Sequence, residues 1–193
     1  MKIALTGHSK GIGAAIKDLL ESQGHEVSGF SRSNGWDITN QETRQELVAE
    51  IEHGDYDCFI NNAYPHKFYQ HMEGFAQVEL LNEMWLKWEK QDKVIIVIGS
   101  YLAESTVKNY YYPYGIHKRA LEDTCKQLRN TRNLPHIINI KPNYVDTQLT
   151  KHLPNVDKCT PNQVAEIVAF ALTHKLRIHE IQFSSPINNK AKE

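Results

Sequence analysis

At 193 residues the chain is long enough for one domain with a sizeable core. Its 22 Lys and Arg against 23 Asp and Glu leave a net charge of -1, with 40% hydrophobic and 23% charged residues. That balance argues against a nucleic-acid or anionic membrane partner, and no apolar run approaches the ~18 residues that a membrane span requires. The opening MKIALTGHSKGIG reaches glycines too early for a signal peptide. Three widely spaced cysteines, Cys58, Cys125 and Cys159, read as reduced thiols in a cytoplasmic protein, and the ten histidines show no metal-ligand spacing, so no metal site is expected. His66 and His71 read as solvated loop residues.

In chain order, KIALT (2–6) predicts a strand and the stretch near 11–23 a helix. EVSGF (26–30) predicts a second strand, and a helix follows near 40–53, with Thr39, Asn40, Gln41 and Glu42 in capping-box spacing. YDCFIN (56–61) precedes a long helical pattern near 75–90, whose Val78, Leu81, Trp85 and Trp88 form a stripe suited to the core or to a dimer face. KVIIVIG (93–99), a helix near 113–130 and HIINI (136–140) come next. Thr160-Pro161-Asn162-Gln163 marks the start of a helix near 161–174, and EIQFS (180–184) ends the series. Alternation of this kind implies α/β architecture: a single doubly wound domain over 1–187, with a mostly parallel sheet of about six to seven strands and right-handed crossovers. The tail NNKAKE (188–193) reads as disordered. Such sheets bind ligands beyond the carboxyl ends of their strands, so the residues after each strand carry the chemistry.

After KIALT comes GHSKGIGAAI, with Gly7, Gly11 and Gly13 leading into a helix. A turn that cradles a pyrophosphate needs residues without Cβ, and the helix start offers free N–H groups and a positive dipole end. The spacing is G-x-x-x-G-x-G rather than the commoner G-x-G-x-x-G; a tight glycine turn without a ligand is the plain alternative.

Here the chain resembles the short-chain dehydrogenases/reductases, whose fold is of the Rossmann type. TGHSKGIG (6–13) is similar to that family's T-G-x-x-x-G-[IL]-G motif, and NNAY (61–64) to its N-N-A-G. Tyr114 and Lys118 fit its Y-x-x-x-K, Ser100 stands where its active-site serine belongs, and KPNYVDT (141–147) resembles its P-G-x-[VI]-x-T segment. The motifs come in family order. The resemblance implies an NADP(H)-dependent oxidoreductase that interconverts a small-molecule carbonyl and its alcohol. Ser100, Tyr114 and Lys118 would be catalytic. Thr6, Gly7, Ser9, Lys10, Gly11, Ile12 and Gly13 would bind cofactor, as would Ser31, Arg32, Asp37, Ile38, Asn62 and Ala63, then Tyr114, Lys118, Pro142, Val145 and Thr147.

The residue types suit these roles. Residues four apart share a helix face, so the Lys118 ammonium approaches the Tyr114 ring and favours its phenolate. Pro113 fits a first helical turn, which places Tyr114 at the positive end of the dipole. Tyr110, Tyr111 and Tyr112 precede the helix and read as pocket lining or as aromatic packing. Tyr101 and Ser105 are rivals for the serine role. After the second strand, Ser31-Arg32-Ser33 presents no carboxylate before Asp37, and Arg32, with Lys10, suits a ribose 2′-phosphate; this points to NADP(H) rather than NAD(H). Asp37 would contact the adenine amino group or, failing that, help to cap the following helix.

The chain also departs from the family. Tyr64 replaces the glycine of N-N-A-G. Asn143 replaces the glycine after Pro142, where asparagine tolerates a left-handed backbone. The family's helix asparagine has no clear counterpart, Asn82 being the only asparagine in its helix. The connection from FSRS to WDIT is too short for a helix, and the lid segment 147–160 is short as well. These trims leave a catalytically weak NADP(H)-binding redox sensor as an alternative, a sugar-nucleotide epimerase or dehydratase as a more distant one, and a pocket completed by a homodimer partner as an option.

Overall fold

The computed structural model describes residues 1–65, 72–104 and 112–185. Six strands alternate with five helices: β1 Lys2–Thr6, α1 Gly11–Ser22, β2 Glu26–Phe30, α2 Gln41–His53, β3 Cys58–Asn61, α3 Ala76–Lys87, β4 Val94–Ile98, α4 Tyr112–Thr131, β5 His136–Pro142, α5 Pro161–Thr173 and β6 Glu180–Phe183. All five pairings are parallel, in the order β2-β1-β3-β4-β5-β6. The order reverses between β1 and β3, so their carboxyl ends open the crevice in which such sheets hold ligands.

The alternation of side chains along each strand divides the core in two. Ile3, Leu5, Cys58, Ile60, Ile96, Ile98, Ile138 and Ile140 face α1 and α5, meeting Ile16, Leu20, Ala165 and Val168. Ala4, Phe59, Ile95, Val97 and Ile137 face α2, α3 and α4, meeting Leu47, Leu80, Met84 and Leu121. Leu81 and Trp85 of α3 and Trp88 at its C-cap are buried in this second half and Val78 packs against it, so the aromatic stripe is core and not a dimer face. No helix among the described residues is long and apolar enough to cross a membrane.

Two expectations about local structure need correction. The cap of α2 is Asn40, whose side chain accepts from the Thr43 N–H at 2.9 Å. Thr39 instead gives its N–H and hydroxyl to Asp37, at 3.0 and 2.8 Å. An amide oxygen one residue closer to the helix wins, because it reaches the third N–H without displacing the Asp37 turn. Asn143 does not use a left-handed backbone: among the described non-glycine residues only Asp55 and Lys90 have positive φ. The box at α5 forms as read, with Thr160 accepting from the Gln163 N–H at 3.2 Å and Gln163 accepting from the Thr160 N–H at 2.9 Å. Between β2 and α2 lies only a 3₁₀ turn, Arg32–Asn34. All three cysteines are free and buried. The tail 188–193 and loop residues His66 and His71 lie outside the described residues.

Candidate active site

The turn after β1 is held open by its glycines. Gly7 has φ 72° and Gly11 φ 56°, left-handed conformations that strain any side chain. A Cβ on Gly13 would stand 2.1 Å from the Gly7 carbonyl oxygen, so this position cannot carry one while α1 starts here. Lys10 is the N-cap of α1 and supplies no side-chain cap, which leaves the first-turn N–H groups to an outside acceptor. Ser9 and Lys10 are exposed on the rim of the turn.

Thr6 and Asn62 build this turn from behind. Thr6 is fully buried, and its hydroxyl donates to the Ile60 carbonyl at 3.3 Å while accepting from the Asn62 and Ala63 N–H groups at 3.0 and 3.1 Å. The Asn62 amide donates to the Thr6 carbonyl at 3.0 Å and the Gly7 carbonyl at 3.3 Å. At the end of β2, Ser31 is buried, its N–H donating to Asn34 Oδ1 at 2.8 Å and its hydroxyl lying 2.7 Å from that of Ser33. Arg32 is exposed, and no ion pair among the described residues holds it. Ile38 is buried in the core, whereas the Asp37 carboxylate is engaged with Thr39.

A cavity of about 410 Å³ opens beyond β4 and β5. Ser100, Tyr114 and Lys118 line it together, as do Ile12, Asn62, Pro142, Val145 and Thr147. Thr147 also reaches across to the glycine turn, its Cγ2 lying 3.4 Å from where a Gly11 Cβ would be. Ser100 lies two residues beyond β4, is buried, and accepts from the Leu102 N–H at 3.2 Å at the start of a 3₁₀ turn. Tyr101 points to the surface instead, and Ser105, Tyr110 and Tyr111 lie outside the described residues. Tyr112 opens α4, with Pro113 and Tyr114 in its first turn.

Burial pushes the Tyr114 phenol up to about 12, against the Ser100 hydrogen bond, which pulls it down. Lys118 is 3% exposed and burial draws its ammonium down to about 7. Its Nζ donates to Gln77 Oε1 at 2.7 Å and to the Ile98 carbonyl at 2.9 Å. The same Nζ stands 5.0 Å from the Tyr64 ring centroid and 5.6 Å from that of Tyr114.

One residue here was not legible beside the motifs. Gln77, in the first turn of α3, is 1% exposed and reaches Lys118 across 41 positions of sequence. A glutamine in an apolar helix start carries no signal of a partner so distant. The helix asparagine offers no such contact: Asn82 donates to the Val78 carbonyl of its own helix at 3.1 Å. Tyr64 lines the cavity with its ring edge-on to Tyr114, 5.0 Å between centroids at 84°. Its hydroxyl meets His117 Nδ1 at 2.9 Å, and the His117 ring packs on Phe75 at 4.6 Å. Burial, then the charge of Lys118, hold His117 below its ordinary range, while burial, then Tyr114, push the Tyr64 phenol up.

Elsewhere on α4, Glu122 joins Glu104 and Glu180 around the fully buried Lys141, whose Nζ is 3.0 Å from Glu122 and 3.2 Å from Glu180. The ammonium fills the space between the three carboxylates, which ties the turn after β4 to α4 and β6.

No family model matches the chain, and neither does any curated protein. Solved structures do. A short chain dehydrogenase from Burkholderia cenocepacia J2315 in complex with NADP superposes with TM-score 0.78 at 20% identity, covering 93% of this chain and 86% of that one. An alcohol dehydrogenase from the archaeon Thermococcus sibiricus, complexed with 5-hydroxy-NADP, gives 0.76 at 20% identity, covering 95% and 96%. The 3-alpha-hydroxysteroid dehydrogenase of Pseudomonas sp. B-0831, complexed with NADH, gives 0.71 at 22% identity, with 95% of each chain covered. The chain, with its six-stranded parallel sheet and flanking helices, thus has the fold of these short-chain dehydrogenases/reductases.

Proposed function

We propose that the chain is an oxidoreductase of the short-chain dehydrogenase/reductase family, interconverting a small-molecule carbonyl and its alcohol with NADP(H). One observation carries the reading: Ser100, Tyr114 and Lys118 line one cavity together with Ile12, Asn62, Pro142, Val145 and Thr147. A dinucleotide suits the adjoining surface. The left-handed Gly7 and Gly11 and the uncapped start of α1 make a cradle for a pyrophosphate. Arg32, exposed after β2 with no carboxylate partner among the described residues, and the exposed Lys10 of the glycine turn suit a 2′-phosphate. The bound nicotinamide supplies the hydride.

The residues of the chain supply the rest. The Tyr114 phenol, held protonated by its burial, donates its proton to the carbonyl oxygen. The Ser100 hydroxyl, beside that phenol, orients and polarises the same oxygen. Donation leaves a phenolate, which the Lys118 ammonium stabilises from across the ring. Apolar walls at Ile98, Leu102, Leu149 and Leu153 keep water from the reacting oxygen.

Tyr64 favours a second reading, a nucleotide-binding redox sensor without turnover. Its ring stands in the cavity against Tyr114, where the family has a glycine. Oxidation of NADPH by the purified protein, measured over a panel of ketones and aldehydes, separates the two. Turnover abolished by Tyr114→Phe supports the enzyme; tight NADPH binding with no turnover on any carbonyl supports the sensor.

A further inference from the structure

Gln77 is fixed more firmly than a surface amide. Its Nε2 donates to two carbonyls, Asn61 at 2.8 Å and Ile98 at 3.2 Å, and the Asn61 amide donates back to the Gln77 carbonyl at 2.9 Å. A flipped amide would set its oxygen against two acceptors, so Oε1 has one direction left, toward Lys118. The Ile98 carbonyl accepts from both side chains, which places the ammonium between a strand end and a helix start.

The surroundings of Lys118 are otherwise neutral. The loop after β3 contributes the Tyr64 ring, and α4 contributes Tyr114, the neutral His117 and Cys125, whose thiol burial pushes up to about 12. Glu122, one turn along α4, is taken by Lys126 and Lys141. No carboxylate among the described residues pairs with Lys118.

We propose that Gln77 is a positioning residue for Lys118: its amide oxygen, locked by the carbonyls that end β3 and β4, holds the ammonium beside Tyr114 without neutralising it. The catalytic consequence rests on the proposed roles of Tyr114 and Lys118; the placement of the ammonium does not. A carboxylate at position 77 would hold the ammonium equally well but claim its charge. An apolar residue would leave the charge with the Ile98 carbonyl alone of its two acceptors. The neutral amide does neither, and the cation stays available to the phenolate that forms on Tyr114.

The test reads Lys118 directly. Protein labelled with ¹³C at lysine Cε is titrated by NMR between about pH 5 and 11, a range that spans the ordinary lysine value. The Lys118 resonance is assigned by its loss in Lys118→Met. Gln77→Glu raises the Lys118 midpoint by about 1–3 pH units, the effect of one opposite charge in contact. Gln77→Met, near-isosteric and apolar, lowers it. Gln77→Met also lowers kcat for carbonyl reduction by about tenfold or more, the cost of losing a hydrogen bond to a charged group. Midpoints that match wild type in both variants overturn the proposal, whatever the activity does. Shifts of the expected sign in a protein that turns over no carbonyl uphold the placement by Gln77 and remove the oxidoreductase reading instead. Should neither variant fold, as judged by circular dichroism, Gln77→Asn takes their place: its arm, one methylene shorter, withdraws the amide oxygen from Lys118 and lowers the midpoint, and a midpoint that matches wild type overturns the proposal.

Discussion

The two ends of the crevice are built on different physics. At the end proposed for the dinucleotide, around Gly7, Gly11 and Arg32, Thr6 and Asn62 brace the turn, but the groups offered to a ligand are backbone N–H donors and exposed cations. At the chemical end, Lys118, Gln77, Asn61 and Ser100 are all buried, and hydrogen bonds hold each of them. Exposed charges set affinity and choice of cofactor through contacts that water and salt weaken. Buried groups set reactivity, because a low-dielectric surrounding makes each polar contact decisive. Substitutions at the two ends should therefore act on different observables.

Tyr114→Phe is the strongest test of that division. General acid catalysis is worth roughly 10²–10⁴-fold, so kcat for carbonyl reduction falls by that factor while the NADPH dissociation constant changes little. Retention of more than about a tenth of wild-type kcat removes Tyr114 from the role of proton donor. Lys118→Ala loses both activity and affinity, since the proposed contact with the cofactor and the support of the phenol both depend on this lysine.

Arg32→Ala works at the other end. A charge-assisted hydrogen bond that is partly exposed contributes about 1.5–3 kcal/mol, so NADPH binds roughly ten- to a hundredfold more weakly and NADH about as before. Calorimetric titration of both cofactors against wild type and variant checks this. Equal losses for the two, or a wild-type preference for NADH, place the determinant elsewhere on the chain.

The same contrast marks what could be read from the sequence. The strand runs, the glycine turn and the Tyr114–Lys118 spacing were legible because each is local: a hydrophobic alternation, a backbone needing no Cβ, or one helical turn. The cap of α2 was misplaced by one residue because Thr39 and Asn40 are both good caps, and the neighbouring Asp37 carboxylate decides between them. Gln77 was illegible because its role depends on the ends of two strands and on a lysine from another helix. Tyr64 was read as a departure, but its bond to His117, 53 positions away, follows only from packing α4 against the turn before α3.

A smaller effect concerns pH. Burial draws Lys118 down to about 7, while burial lifts Tyr114 to about 12. The phenol thus stays protonated across the working range, and the lysine is the group that changes. Below about 7 the ammonium is charged and stabilises the phenolate formed by proton donation; as pH rises through that value the charge is lost. With NADPH and ketone saturating, kcat falls by about tenfold on the alkaline side, the lower end of what one charge at this distance does. A rate that is flat from pH 6 to 9 would separate Lys118 from Tyr114.

The smallest expected effect discriminates within α3. Asn82 is the only asparagine of that helix, yet its side chain donates to the Val78 carbonyl one turn back, at 3.1 Å, and does not line the cavity. That carbonyl already serves the helix ladder, so the side-chain bond adds little, and alanine is the better helix former by several tenths of a kcal/mol. Asn82→Ala should then leave stability within about 0.5 kcal/mol of wild type and kcat within about twofold. Gln77→Met, five residues earlier on the same helix, should lower kcat about tenfold or more because it removes an acceptor from a buried charge. Steady-state kinetics and thermal melts on the two variants side by side make the comparison. If Asn82→Ala lost as much activity as Gln77→Met, proton or charge management in α3 would run through Asn82, and the clamp on Lys118 would not be its route.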